Sequence, residues 1–489
     1  MPEHRDDTTV TSRDDDDIAA VVKRVIVPSP ALILIWSASE SHRVGESIVL
    51  EGPQPWVVGR DVNEPHVQLL AEHTPGRTRP GTALSSDAIS RRQLEIDFDD
   101  DGELVITNVG KGPVRVNGAR VEKGDEHPVE TGDVIVIAGQ YAFLVGERLR
   151  AQGPKIPYPT GHAFGEADAF GLVGESPAMW TLRERLAAAA DARTHLLVLG
   201  ETGVGKELAA RAIHALSDRD DKKLVQRNAS TLDEGVFDAE VFGCAKDFPN
   251  AGSPERKGLV GEADGGTLML DEIGTIPNSR QAKLLTFLDA GSYFRVGDER
   301  QRRADVRVIG ATNSSVGDLK NDLGPRFKVK VQVPPLAARR EDIPLLTRHL
   351  VLSIAKTSET ARRFTTEVKG RRDLRVSCAL VTWLVQRSYP GNTRELEEVL
   401  RDAMFASPDD TIELMIDPEA TNAAASEAEG DNALTEGSIR QALAKCGGNQ
   451  TRAAEMLGLT SRYVLIREMK KFGIKPAPRS TIRGSRPRP

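Results

Sequence analysis

Cysteine is scarce in this chain: Cys244, Cys378 and Cys446 are the three among 489 residues. They lie far apart and form no metal or redox pattern. Long apolar runs are missing as well. None approaches the ~18–20 residues that cross a bilayer. The opening stretch "MPEHRDDTTVTSRDDDDIAA" lacks the apolar middle of a signal peptide. A cytosolic, reduced protein is the expectation. No internal repeat is visible. What is present suffices for folded cores: 39% of residues are hydrophobic. The length allows about three domains at ~150 residues each.

Charge is unevenly spread. The net charge is −7, yet residues 433–489 hold 12 Lys and Arg against 3 Glu, leaving −16 elsewhere. A basic end on an acidic body suggests a polyanion partner there, nucleic acid first. Charge alone fits a solvated tail equally well.

The chain divides by pattern. Residues 1–28 form an acidic arm, with Asp14–Asp17 all aspartate, and such runs stay disordered. Over 29–148, short β-type runs ("ALILIW", "PWVVG", "LEIDF", "ELVITNV") alternate with turn residues, which argues for a β-sandwich. Residues 149–170, rich in Gly and Pro, read as a linker. Over 171–338, strand-like and helical runs alternate, as in a parallel sheet covered by helices. Residues 339–417 are mainly helical, a lid. A second linker spans 418–432, a short all-α module 433–475 and a basic tail 476–489.

The stretch "GETGVGKE" comprises Gly200, Glu201, Thr202, Gly203, Val204, Gly205, Lys206 and Glu207. It follows a strand-like run and opens a helical one. A glycine turn in that context points backbone N–H groups and a helix N-terminus at phosphates. Lys206 can reach the β- and γ-phosphates. Glu207 stands where a Ser or Thr usually reaches Mg²⁺. In "GGTLMLDEIG", Asp271 and Glu272 end an apolar strand. One carboxylate can hold Mg²⁺ while the other polarises a water.

The ordered set "GETGVGKE", "GGTLMLDEIG", "QAKLLTFLDAGSYFRVG", "DVRVIGATN", "PPLAARREDIPLL" and "YPGNTRELEE" resembles the AAA+ domain of bacterial enhancer-binding proteins, the sigma-54-dependent activators. The resemblance implies an ATPase in which Glu follows the loop lysine, so Glu207 marks the family. It also implies roles by position. Asn228 restrains the catalytic glutamate. Thr312 and Asn313 sense the γ-phosphate, and Arg394 is a second sensor. Arg326 is an arginine finger supplied to the neighbouring subunit, with Lys320 at the other finger position. Assembly follows, a hexameric ring in this family. The bland reading of Arg326 and Arg394 is surface ion pairing.

One motif departs. The family's sigma-54 contact loop reads G-A-F-T-G-A. Here the chain continues "DFPNAG", one residue short, with Phe248, Pro249, Asn250 and Ala251 in its place. Pro249 fixes φ and removes a donor, which sets ATP binding apart from sigma-54 remodelling.

The ends carry two further resemblances. "TRAAEMLG" followed by "SRYVLIREMKKFG" is similar to the Fis-type helix-turn-helix. Its second helix would offer Ser461, Arg462, Tyr463 and Arg467 to the major groove, and Lys470 and Lys471 to phosphates. The sandwich resembles a forkhead-associated domain, a phosphothreonine reader. Arg60 and Ser90 would ligate phosphate beside Arg91. Gln93 replaces the usual histidine, and Gly112 stands where an asparagine orders the peptide. The leading expectation is an ATP-driven, DNA-bound transcription regulator controlled through the sandwich. The alternatives are a regulator or repressor that binds ATP without engaging sigma-54, and a phosphopeptide-binding scaffold with a structural nucleotide.

Overall fold

The computed structural model describes residues 29–414 apart from 53, 76, 100–101, 149–157, 160, 234, 314–322 and 369. Near the end it describes 435–446, 453, 456, 457, 465, 469, 472 and 474. Backbone contacts divide the chain into two units, Met1–Met415 and Ile416–Pro489.

In the first unit, two antiparallel sheets form the expected sandwich. Eight strands run in the order Arg77–Pro80, Ala71–Thr74, Ser47–Val49, Ser29–Ser37, Tyr141–Arg148, Val134–Ile137, Val114–Val116, Ala119–Val121. The facing sheet holds Glu126–Pro128, Leu104–Asn108, Leu94–Phe98 and Trp56–Val58. The run "ALILIW" is apolar on both sides for a reason. Leu32 and Leu34 point into the sandwich core. Ala31, Ile33 and Ile35 point the other way, into a core shared with the lid residues Leu345, Val381, Leu384 and Val385. Period-two alternation sends successive side chains to opposite faces, so a strand buried on both faces loses its polar half. Two polar contacts cross the same seam. Trp36 Nε1 donates to Val376 O at 2.8 Å, and Gln386 Nε2 donates to Asn117 Oδ1 at 2.9 Å.

The second layer system is a five-stranded, wholly parallel sheet in the order Leu224–Asn228, Thr267–Asp271, Arg307–Thr312, Leu196–Leu199, Val329–Gln332. Helices Pro177–Asp191 and Lys206–Ala215 pack on it. Ser176 caps the first helix by accepting from Met179 N at 3.2 Å.

Two sequence expectations need correction. The stretch read as a linker is partly structural: Tyr158 is buried and donates to Asp168 Oδ2 at 2.8 Å, and Asp168 pairs with the fully buried Arg183 at 3.1 Å. Its Gly and Pro content marks turns within a packed segment. The lid contains helices Ile343–Thr357, Cys378–Gln386 and Asn392–Ala406, but also a hairpin, Thr365–Val368 with Arg371–Leu374. "TTEVKGRRDL" hides it because charged residues fill its exposed positions.

In the second unit, helix Glu436–Lys445 begins with a capping box between Thr435 and Ser438. Its Ile439 and Ala442 share a small core with Ala453, Leu465, Met469 and Ile474.

Candidate functional site

The carboxyl ends of the parallel strands gather the residues that the motifs single out. Leu199 lies in register with Thr312, and Asn228 with Asp271. In open α/β sheets this edge is where ligands bind. A cleft of about 670 Å³ opens there, lined by the loop residues Thr202–Glu207, by Asn228, Asp271 and Glu272, and by Arg394. The lid closes it.

Lys206 is 7% exposed and donates from Nζ to Gly200 O at 2.9 Å and Glu201 O at 3.2 Å. Glu272 Oε1 stands 3.7 Å from the same nitrogen. Glu272 has φ +51°, a left-handed conformation, which side chains of this type adopt rarely and mostly at functional turns. Its N–H donates to Asp271 Oδ1 at 2.9 Å. The loop thus brings one fixed cation and two carboxylates together, at the start of a helix whose N-terminus favours anions. Gly203 (φ +78°) cannot be replaced: a Cβ there would lie 2.2 Å from Gly391 O of the lid.

Asn228 Oδ1 accepts from Ser230 N at 2.9 Å and Ser230 Oγ at 2.7 Å, while Glu272 faces Lys206. Asn228 and Glu272 line the same cleft. Glu207 lines the cleft and stands 2.6 Å from Arg211, one helical turn on and part of the same lining. Thr312 is buried at its strand's end, and Asn313 follows it. Arg394 is exposed at the cleft. Arg326 pairs within its own chain with Asp289 at 2.7 Å. Lys320 lies outside the described residues.

Sequence reasoning missed Asn392 and Arg339. Asn392 is fully buried with φ +54°. Its Nδ2 donates to Glu201 Oε2 at 2.8 Å and Thr202 O at 3.1 Å, and its Oδ1 accepts from Leu336 N at 2.7 Å. It ties lid to loop. Arg339 is 4% exposed and reaches Val204 O at 3.2 Å. Both sit inside motifs quoted above, "YPGNTRELEE" and "PPLAARREDIPLL", whose neighbouring residues drew the attention. His349 and Leu350 add to the cleft wall, and burial holds His349 below the ordinary histidine range, helped by Lys356.

The contact-loop segment is compact. Asp247 N donates to Ser253 O at 2.9 Å, and Gly252 N donates to Asp247 Oδ1 at 2.7 Å. The Phe248 ring lies over Gly297, where a Cβ would come within 2.5 Å of it. Phe248 is itself 38% exposed, and Pro249, Asn250 and Ala251 are exposed as well.

In the sandwich, Arg60 is half-exposed and 3.4 Å from Asp87, and Arg91 is exposed, 3.8 Å from Asp61. Ser90 Oγ accepts from Lys111 N at 2.8 Å. Gln93 is fully buried and takes over the joining of the two loops. Its Oε1 accepts from Ser90 N at 3.0 Å and Gly112 N at 3.2 Å, and its Nε2 donates to Gly112 O at 2.9 Å and Asn108 Oδ1 at 3.0 Å. A Cβ on Gly112 would lie 2.8 Å from Gln93 Oε1. The two departures from the family pattern thus bond to each other. The six DNA-binding candidates, Ser461, Arg462, Tyr463, Arg467, Lys470 and Lys471, lie outside the described residues.

Comparison with known proteins agrees with this order of parts. Residues 56–138 match the FHA domain, 172–327 the Sigma-54 interaction domain, 337–433 the AAA+ ATPase lid domain and 438–472 the Bacterial regulatory protein, Fis family. The transcriptional regulatory protein ZraR of Escherichia coli is 37% identical over 312 residues, 61% of this chain and 68% of ZraR. The anaerobic nitric oxide reductase transcription regulator NorR of Vibrio vulnificus is 36% identical over 377 residues, 70% of each chain. A crystal structure of NtrX from Brucella abortus in complex with ATP aligns over 62% of this chain and 69% of that one, at 31% identity and a TM-score of 0.44. The chain belongs to the sigma-54-dependent transcriptional regulators, with forkhead-associated, AAA+, lid and Fis-type helix-turn-helix domains in that order.

Proposed function

We propose that this regulator binds ATP with Mg²⁺ between its glycine loop and lid and hydrolyses it, as a DNA-bound ring whose activity answers to the forkhead-associated domain. The carrying observation is the joint placement of Lys206, Asp271 and Glu272 at one sheet edge, with Glu272 3.7 Å from the lysine. That donor set fits a nucleoside triphosphate: a cation for the phosphates, a carboxylate for the metal and a second carboxylate for water. Asp271 would hold the magnesium ion, which neutralises charge on the phosphoryl oxygens. Lys206 binds the β- and γ-phosphates, releasing its present carbonyl partners. Glu272 leaves Lys206 to orient the attacking water and accept its proton. Thr312, Asn313 and Arg394 report the γ-phosphate to the lid. Arg326 would exchange Asp289 for the phosphates of a neighbouring subunit, with Lys320 beside it. Arg60, Ser90 and Arg91 would take a phosphothreonine, and the helix-turn-helix with Ser461 through Lys471 would hold DNA.

The test is turnover by the purified full chain. Glu272→Gln should retain ATP and lose hydrolysis. Equal rates in both proteins would remove the enzyme claim.

A second reading concerns sigma-54. The loop holding Phe248, Pro249, Asn250 and Ala251 is closed on itself by Asp247, and its Phe248 ring covers Gly297. This favours a regulator that consumes ATP without engaging sigma-54. Capture of sigma-54 by the chain loaded with ADP and aluminium fluoride separates the two: retention supports the activator, and its failure alongside intact ATPase and DNA binding supports the other.

A further inference from the structure

The seam between sandwich and lid ends in a buried ion pair. Arg148, the last residue of strand Tyr141–Arg148, pairs through Nη1 with Glu341 Oε2, and the two side chains are 6% and 14% exposed. Burial pushes the Glu341 carboxyl up to about 7 against the pull of the Arg148 guanidinium, and Asp342 adds to the rise. Glu341 lies in the short helical segment Leu336–Asp342, which kinks at Arg339 (φ −144°, ψ 44°). Two residues before Glu341, Arg339 donates to Val204 O at 3.2 Å inside the glycine loop and lines the cleft. One residue after it, Asp342 accepts from Glu175 N at 2.8 Å, Ser176 N at 3.0 Å and Ser176 Oγ at 2.6 Å, at the start of helix Pro177–Asp191. Arg339, Glu341 and Asp342 thus pin one short segment at three places: the glycine loop, the sandwich and the first AAA+ helix.

The geometry points to Arg148 as a positioning residue of the nucleotide site: from the forkhead-associated sandwich it holds Glu341, and through Arg339 it holds the glycine loop at Val204. The inference rests on the nucleotide reading above and deepens it by naming the route of control. Removing one partner of a buried pair leaves an uncompensated charge. Glu341 then moves toward water or takes up a proton, and the segment carrying Arg339 moves with it. Displacing the sandwich loosens the loop's grip on nucleotide.

The experiment uses the full chain with Arg148→Ala, Arg148→Lys, the charge swap Arg148→Glu with Glu341→Arg, and Trp36→Phe. The last removes a seam contact away from Glu341 and controls for loosened docking in general. Two readouts run together: affinity for a fluorescent ATP analogue, and hydrogen–deuterium exchange of residues 200–207. Arg148→Ala should weaken affinity at least about fivefold, the lower end of ordinary coupling between sites, and speed exchange in the loop. Lysine or the swap should recover most of both, and Trp36→Phe should change neither. Wild-type exchange and affinity in a folded Arg148→Ala overturn the inference. So does an equal effect from Trp36→Phe. If the wild-type chain binds no nucleotide, the ATP reading falls, while the exchange of residues 200–207 still decides the role of Arg148.

Discussion

Two loops in the AAA+ domain depart from a pattern in different ways: the glycine loop from the Ser or Thr that most phosphate loops carry, the contact loop from the motif of its own family. In the glycine loop the odd residue is Glu207, on the first turn of helix Lys206–Ala215. Its side chain pairs with Arg211 at the cleft, and Lys206 beside it is held by the loop carbonyls of Gly200 and Glu201. In the contact loop the odd residue is Pro249, in a loop that the resemblance reads as one residue short. That loop runs between the short helices Phe237–Phe242 and Gly258–Glu262 and closes on Asp247 and Gly297. The odd residue of the first loop rides on the first turn of a helix, while that of the second sits at an exposed tip.

The comparison breaks first if the glycine loop is not a phosphate site at all. Lys206→Ala should reduce ATP affinity on the order of 100-fold, since losing one partner of a buried, hydrogen-bonded charge interaction costs about 2–5 kcal/mol. Calorimetry of the full chain measures it, and an unchanged affinity would put the two loops on the same footing.

The contact loop is sharpened by restoring it. Exchanging residues 247–251 for Gly-Ala-Phe-Thr-Gly-Ala adds the missing residue and removes Pro249. Sigma-54 capture in the aluminium fluoride state should rise at least about tenfold, or ~1.4 kcal/mol. No gain would mean that the loop's form is not what separates this chain from an activator.

A smaller effect tests how far the scaffold behind the glycine loop extends. Asn392→Ala removes the bonds to Glu201, Thr202 and Leu336, and unsatisfied buried groups cost about 1–3 kcal/mol each. Nucleotide affinity should fall roughly tenfold. Asn392→Gly, which suits the left-handed backbone but lacks the amide, should bind nucleotide as weakly while melting higher than Asn392→Ala.

Much of this molecule was legible because its elements carry local signals. The glycine loop, the Asp271–Glu272 strand end and the alternating strands of the sandwich are each set within a few residues. The seam between sandwich and lid was not. Ala31, Ile33 and Ile35 read as ordinary strand residues, and nothing local says that their partners are Leu345 and Val381 some 300 residues away. "ALILIW" held the one clue, since a strand apolar on both faces must be covered on both. Asn392 escaped for a related reason: an asparagine in a turn is common, and only the fold shows it reaching Glu201. The hairpin at Thr365–Leu374 hid behind charges, because a solvent-exposed ribbon needs few apolar residues.

The smallest effect is also the most discriminating. Glu207→Thr would restore the residue most glycine loops carry. The present ion pair with Arg211 is more than half exposed on both sides, 57% and 53%, and such pairs contribute about 0–1 kcal/mol. A carboxylate in a helix's first turn adds about 0.3–1 kcal/mol. Threonine gives up both and gains a hydroxyl for the metal. These terms oppose each other, so ATP affinity should change by about threefold or less. A tenfold loss would show that the Glu207 carboxylate takes part in nucleotide binding, and the contrast between a tolerant loop and a departed one would no longer hold.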